Sequence, residues 1–433
     1  MKRFSIVVLM LTLLVLAAEG RQHASVVVDS LSRTPLPYAS VFGRDGKMAG
    51  TTGPDGRLPY VRTSDYPITV RYMGFKEKCV GRADADTIFL QENVMELPEF
   101  VFESRRQKVL HMLAYVREYS TLTSYTDTVF MFREKMVDYM VPSEKKTSFA
   151  GWSTPRILTS RSYYRFTNAQ GLDSVSDKCN NHFSWADWVG LMPAARMPAR
   201  LQAALHAADT VRGRYMPAEI WTRNGDRVTL DVDVMSDTAG RKWVPNLSTF
   251  FHKDVDFEQF RIHFNYDNVA GDSLAPVDLA GYSFNIESNG RGRGMFQFNR
   301  VDDPFCVSTY AEVYVIDKEY ITLKEACKWE RRRDLGEIVI FEPPEAPPLQ
   351  QPIQLLVDRV NKVDHEEVRL ALSPDERLAG RNVVPQHFGQ RVLQLFKTVT
   401  GISQIRSQRK WNNQWREFRR ERISANEAAR RGE

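Results

Sequence analysis

The sequence predicts a mainly β protein with α elements: an N-terminal β-sandwich, an α+β domain on an antiparallel sheet, and C-terminal helices. Three observations predict it. Residues 23–90 break into short β-prone runs separated by turn residues, with no helical period. Residues 218–323 carry a series of alternating apolar and polar runs, the pattern of an antiparallel sheet with one dry and one wet face. Beyond a proline-rich stretch, helical spacing returns.

Residues 1–20 have the parts of a cleavable secretory signal. Lys2 and Arg3 give a positive start, Phe4–Leu16 is an apolar run, and Ala18-Glu19-Gly20 sets small residues before a cut at Arg21. The run has thirteen residues, whereas a spanning helix needs about 20. No cysteine follows it to invite acylation, so the mature chain is expected to be soluble or peripherally attached.

The first domain is expected over residues 21–103. Its runs are Ala24–Val28, Tyr38–Phe42, Ile68–Tyr72 and Asp86–Leu90. Gly53-Pro54-Asp55-Gly56 is a turn by composition, Pro presetting the first corner and Gly supplying positive φ. Short strands packed so densely read as a β-sandwich. Two ordered motifs, Pro35-Leu36-Pro37-Tyr38-Ala39-Ser40-Val41 and Gly50-Thr51-Thr52-Gly53-Pro54-Asp55-Gly56-Arg57-Leu58, are followed by Tyr72-Met73-Gly74-Phe75. Together they resemble the carboxypeptidase-regulatory-like, or transthyretin-like, domain over residues 22–103. Leu90 and Leu97-Pro98-Glu99-Phe100-Val101 resemble the exit of that module, while Leu58 stands where the family has Phe.

The resemblance implies a seven-strand-type sandwich with a structural or interactive role and no active-site residues. In Gram-negative bacteria the same module heads outer-membrane proteins. A large transporter barrel, with 22 strands, does not fit the roughly 330 residues that follow. The implied address is the periplasm or the periphery of the outer membrane.

The second domain is expected over residues 104–341. Val109, Leu110, Leu113, Val116 and Tyr119 share a helical face, so 107–119 reads as a helix. Thr128–Met140 fits strand and helix spacing equally. Strands follow at Arg161–Phe166, Glu219–Thr222, Arg227–Met235, Phe257–Tyr266, Gly281–Glu287, Gly294–Asn299, Thr309–Ile316 and Tyr320–Leu323. In the Arg227–Met235 run, Val228, Leu230, Val232 and Val234 lie on one face. Tyr115-Val116-Arg117-Glu118, Thr128–Tyr139 and a Val313–Tyr320 hairpin together resemble uncharacterised envelope proteins in which the same module precedes a curved-sheet domain. The late β region resembles, more loosely, the half-barrel of lipoprotein carriers. Fold likeness alone assigns no function.

Glu342–Pro352 holds five prolines and is expected to be a stiff, extended linker. Residues 353–433 read as a helical basic tail, with helices over Ile353–Val363 and Val384–Arg422. The formal charge is +5; removing the signal leaves +4, and residues 401–433 alone, with nine Arg or Lys against four Glu, account for +5. The rest is near neutral, which excludes the profile of a nucleic-acid-binding domain. Trp411, Trp415 and Phe418 form an aromatic stripe beside Arg419 and Arg422. Such a helix lies on an anionic membrane, docks on a partner, or packs on its own sheet with arginines over the rim, the last being the plainest reading.

No residues are singled out as catalytic, cofactor-binding or metal-binding, and no cofactor is expected. The eight histidines form no HExxH, His252 and His263 lie eleven apart, and no Cys-x-x-Cys occurs. There is no Gly-x-Ser-x-Gly elbow. Ser143–Lys146 matches Ser-x-x-Lys in a charged stretch where chance suffices, and Gly290–Gly294 lacks the ending of a phosphate loop. Asn181–Trp188 mixes polar and aromatic residues, either as a sugar- or lipid-binding wall or, more commonly, as a loop packed on a sheet. Of the four cysteines, Cys306 and Cys327 flank the apparent hairpin and are the best candidates for a pair; buried free thiols are the alternative.

The functional expectation is a non-enzymatic exported protein acting in binding or assembly at the periplasmic face of the outer membrane. A periplasmic carrier of a lipid or other apolar ligand is the first alternative, and a hydrolase with an unrecognised site the second.

Overall fold

The computed structural model describes residues 25–81, 87–93, 109–124, 127–142, 149, 151–179, 185–191, 194–214, 216–236, 255–291, 304–331 and 338–363. The expected signal, Ser143–Lys146, His252, the Gly294–Asn299 run, the Val384–Arg422 helix and the tail residues Trp411, Trp415, Phe418, Arg419 and Arg422 lie outside them. The protein is mainly β with few helices. The chain divides into two compact units, one from residues up to Arg44 and from Ala49 to Asn93, the other from Asp45–Met48 and from Val94 onward.

The first unit has six described strands: β1 (Val26–Asp29), β2 (Ser40–Phe42), β3 (Met48–Thr51), β4 (Ile68–Arg71), β5 (Lys78–Val80) and β6 (Thr87–Leu90). β1 and β6 pair in parallel, and β3-β2-β4-β5 form a second sheet. The inward residues Val27, Val41, Ile68, Val70, Ile88 and Leu90 make its core with Leu36, Ala39, Tyr72 and Val80. Thr52, fully buried, accepts a hydrogen bond from the Ala39 amide at 2.8 Å and donates to the Leu36 carbonyl at 2.9 Å. The Gly53–Gly56 turn closes on the Gly56 amide and the Gly53 carbonyl at 3.0 Å, and Gly56 sits at φ +75°.

The second unit is organised by one sheet of ten strands: β7 (Val109–Thr123), β8 (Asp127–Pro142), β9 (Trp152–Asn168), β10 (Asp173–Ser176), β12 (His206–Arg212), β13 (Pro217–Asn224), β14 (Arg227–Asp233), β15 (Val255–Tyr266), β17 (Leu279–Arg291) and β18 (Pro304–Ile321). The order is β10-β9-β8-β7-β18-β17-β15-β14-β13-β12, every neighbour antiparallel. Two short strands, β11 (Ala195–Arg196) and β16 (Ser273–Leu274), pair apart from it. Register shifts in the β7–β18, β8–β9 and β15–β17 pairs mark bulges, which bend strands and raise twist.

The sheet's first face is apolar. Val116 of β7, Val137 of β8, Val313 of β18, Phe284 of β17, Ile262 of β15 and Val232 of β14 belong to one continuous core. Trp185, Val189, Leu191, Met197 and Leu201 pack against the same core from the segment that follows β10. The expected alternation in β14 is present, with Val228, Leu230 and Val232 all buried.

The helix expected over 107–119 is, from Val109 on, the strand β7. Leu110, Met112, Ala114 and Val116 belong to the first-face core, while Tyr115, Arg117 and Tyr119 point the other way and are also buried. A strand covered on both faces loses its period-two signature, and its apolar residues then satisfy helical spacing by coincidence. The ambiguous 128–140 stretch is β8, for the same reason. The Val313–Tyr320 hairpin is instead part of one strand, β18, interrupted by a bulge between Val315 and Asp317. Cys306 and Cys327 therefore flank about 50 Å of strand, far beyond the reach of a disulfide, and neither is disulfide-bonded.

Helices are few. Leu323–Arg331 follows β18 through a capping box in which the Thr322 amide and hydroxyl donate to Glu325. Gln351–Lys362 buries Ile353, Leu356 and Val360 along one stripe, with Pro352 in its first turn. No helix among the described residues is long and apolar enough to cross a membrane.

At Gly56 an added Cβ would lie 2.7 Å from the Val27 carbonyl oxygen, whereas at Gly171, also at positive φ, it would meet open space. Gly171→Ala is expected to cost about 1–2 kcal/mol, the left-handed penalty alone, and Gly56→Ala more than that. Hydrogen exchange of the β1 and β7 amides in the full chain, after each substitution, reads the difference.

Candidate functional site

The β7–β8 hairpin carries charged residues buried on both faces. Arg117, Glu118, Lys135 and Asp138 are all fully buried. A buried charge without partners costs several kcal/mol, so the partners of each identify what the charge holds in place.

On the first face, Glu118 and Lys135 interrupt the apolar core. The Lys135 ammonium donates to Glu118 Oε2 at 3.2 Å and to Asp187 Oδ1 at 2.6 Å. Arg133 reaches the other Asp187 oxygen at 3.4 Å. Ser120 donates to Glu118 at 3.3 Å and is hydrogen-bonded to Thr309 at 2.8 Å. A buried lysine and a half-buried arginine thus meet two carboxylates, and Asp187 comes from the segment that covers this face. The neighbouring Trp185 donates to Ser288 at 3.0 Å. The Asn181–Trp188 stretch, where described, is a loop packed on a sheet; Trp188 alone stays exposed.

On the second face, the register lines up aromatic rings across four strands. Tyr163 stacks on Phe132, Phe132 lies 5.2 Å from Tyr119, and Tyr119 lies 6.1 Å from Tyr310. Beside them, Tyr115 donates to Glu134 at 2.5 Å and accepts from Arg117 Nε at 3.1 Å. The remaining Arg117 nitrogens donate to the Glu342 carboxylate and the Pro347 carbonyl. The proline-rich stretch is thereby clamped to the sheet, and the Phe341 amide also points at the Met136 sulfur, 3.5 Å away.

The third cluster gathers around Asp138. Arg156 donates to both its oxygens at 2.8 and 2.5 Å, Trp329 Nε1 donates at 2.6 Å, and His111 Nε2 lies at 3.4 Å. Glu319 lies 2.9 Å from the other His111 nitrogen. The Arg156 guanidinium sits over the Trp152 ring at 4.6 Å, and His111 packs against Trp329 at 5.5 Å. Burial opposes protonation of His111, but the hydrogen bonds and charges of Asp138 and Glu319 outweigh it and raise its pKa. Burial also opposes ionisation of Asp138, yet hydrogen bonds from His111, Arg156 and Trp329 hold its pKa low. The raised His111 pKa and the lowered Asp138 pKa favour the imidazolium beside the carboxylate, and Trp329, bonding the same carboxylate, ties the Leu323–Arg331 helix to the sheet.

Elsewhere His263 faces Asp231 at 2.8 Å within the sheet. Burial brings the Lys318 ammonium down to about 8, with Asp278 and Asp267 acting against the shift. Among the described residues no group of His, Cys, Asp or Glu is arranged to hold a metal ion.

Comparison with protein-family models and with curated proteins finds no match. Among solved structures, one described as lipid–protein interactions in lipovitellin is similar over 51% of this chain, at 8% identity and a TM-score of 0.24. The likeness spans 26% of that chain's own length. A superposition this loose carries neither fold nor ligand across.

The sheet's two edges differ. At β10, Arg359 from the Gln351–Lys362 helix donates to the backbone carbonyl of Asp173 at 2.9 Å and pairs with its carboxylate at 3.2 Å. Arg165 adds a two-point contact to the same carboxylate. That edge is covered by the chain itself. At β12 the residues are mostly exposed, and among the described residues no strand lies beyond it. Leu205 and Met216 flank this strand and Val211 lies within it, three large exposed apolar side chains. The Gly225 amide bonds the Leu205 carbonyl at 2.8 Å, so odd residues turn their backbone towards β13. His206, Ala208 and Thr210 turn theirs outward, and the Thr210 amide is met by the Asp209 carboxylate at 2.8 Å.

Two predictions follow from the clusters. Lys135→Ala is expected to destabilise the chain by about 3–5 kcal/mol, because Glu118 and Asp187 lose their shared cation. A Glu118→Gln, Lys135→Met, Asp187→Asn triple variant should recover most of that loss in urea unfolding. His111, with a raised pKa, contributes fully below its unfolded value near 6.5, and the contribution is lost as pH rises through the folded value. Asp138, with a lowered pKa, contributes fully above about 3.9 and loses it as pH falls through its folded value. Hydrogen exchange of the Leu323–Arg331 helix should therefore be slowest, relative to the sheet, between about pH 4 and 6.5. His111→Gln should flatten the alkaline side of that dependence.

Proposed function

We propose that the chain is a non-enzymatic, exported binding and assembly protein of the cell envelope that takes a strand from a partner at the β12 edge. The observation that carries the reading is the asymmetry of the edges, β10 being covered by Arg359 and β12 presenting outward amides between exposed apolar side chains. An open strand edge is a template for another strand, with backbone hydrogen bonds giving affinity and alternate side chains giving specificity. The ionisable clusters support the same reading, since each holds an accessory segment on the sheet. The N-terminal resemblance to the carboxypeptidase-regulatory-like module supports an address in the periplasm or at the periphery of the outer membrane.

A carrier would hold its apolar ligand against the first face. There Trp185, Val189, Leu191 and Met197 fill the space, so the edge carries the proposal rather than the face. An acyl-chain ligand retained by the full chain in native mass spectrometry would favour the carrier instead.

The test is photo-cross-linking in the native envelope from a benzoylphenylalanine placed at Ala208, with Leu172 near the far edge as control. Adducts from position 208 and none from 172 are expected. Absence of adducts at 208, or equal adducts at both positions, would overturn the reading.

A further inference from the structure

We infer that the strand received at the β12 edge is β12 of a second copy of this chain, giving a two-fold dimer with one continuous sheet. The inference rests on the edge reading above and names its partner. β12 and its flank read Leu205-His206-Ala207-Ala208-Asp209-Thr210-Val211-Arg212. Outward backbone groups belong to the even residues, so an antiparallel self-pairing must set even opposite even. Centring it on Ala208 sets Ala208 opposite Ala208 and His206 opposite Thr210 in hydrogen-bonded pairs. The same register sets Ala207 opposite Asp209 and Leu205 opposite Val211, twice by symmetry.

Leu205 and Val211 are 59% and 40% exposed in the single chain, and the pairing gives each an apolar neighbour from the other copy. Moving the centre to Asp209 would put two carboxylates directly opposite, which is destabilising. Moving it to Ala207 would set Leu205 against Asp209 and shorten the overlap. The charges on β12 therefore select one register. The Asp209 carboxylate now on the Thr210 amide must swing away, handing that donor to the His206 carbonyl of the partner copy. A two-fold pairing occupies β12 of both copies and therefore closes after two, while Arg359 meets the other edge at Asp173.

The test is sedimentation velocity of the full chain from low micromolar to several hundred micromolar, with circular dichroism to confirm folding. The expected result is a shift from one chain mass to two as concentration rises. Ala208→Pro removes an outward amide without touching the β12–β13 ladder, where edge proline is tolerated, and should abolish the shift. Leu205→Glu and Val211→Lys should each weaken it at least tenfold, and both in one chain should restore it through cross-copy Glu–Lys pairs. Persistent dimer in Ala208→Pro, or no restoration in the double variant, would overturn the inference. A monomer throughout, with position 208 still cross-linking to a different protein, would overturn self-pairing and leave the edge as a binding surface; a monomer with no adduct would overturn both.

Discussion

The charged residues of the β7–β8 hairpin cannot be left without partners, and the architecture of the second unit follows from how they are satisfied. Removing an ammonium or a guanidinium from water is repaid only by close opposite charge and well-aligned hydrogen bonds. Neither β7 nor β8 supplies enough of these alone. Lys135 completes its shell with Asp187, Arg117 with Glu342 and the Pro347 carbonyl, and Asp138 with Arg156 and Trp329. Each partner belongs to a different segment: the loop on the first face, the proline-rich strap on the second, and the β9 strand with the helix after β18. Charge buried on this hairpin thus specifies which segments cover it and where.

This arrangement shifts the exposed recognition capacity to the perimeter. The first face is packed by the chain's own side chains, and the strap is tied across part of the second. A sheet finished in this way still ends in two strands with unpaired backbone groups. Covering β10 with Arg359 while β12 keeps its outward amides is an unequal treatment of two equivalent liabilities. The bulge between Val211 and Arg212 and the charge of Asp209 restrict what can pair there, and restriction of that kind confers specificity.

Legibility differed between elements for identifiable reasons. The Gly53–Gly56 turn, the β4 run and the Val228–Leu230–Val232 alternation were readable because turn chemistry and a half-buried face both leave local signatures. β7 and β8 were not, since burial on both faces replaces alternation with continuous apolar and aromatic residues. β18 was read as a hairpin because its bulge breaks the period where a turn would. The Asp138 cluster carried no local signal: His111 stands 27 residues from Asp138 and 208 from Glu319. The Thr322–Glu325 capping box was a local signal for the helix that brings Trp329, and its first two residues fell in the Tyr320–Leu323 run read as strand.

By itself, the sequence determined the β-rich class, the N-terminal turn chemistry, the inward face of β14 and the apolar stripe of the Gln351–Lys362 helix. These depend on periodicity and on the φ preferences of Gly and Pro, which act within a few residues. Only the tertiary structure decided that 109–119 is strand, that Cys306 and Cys327 stand apart, that the proline-rich stretch is a strap, and that one sheet edge is covered and the other open. Those outcomes depend on which segments meet across the sheet. Buried charge and unpaired backbone groups select such meetings by energies that no local pattern records.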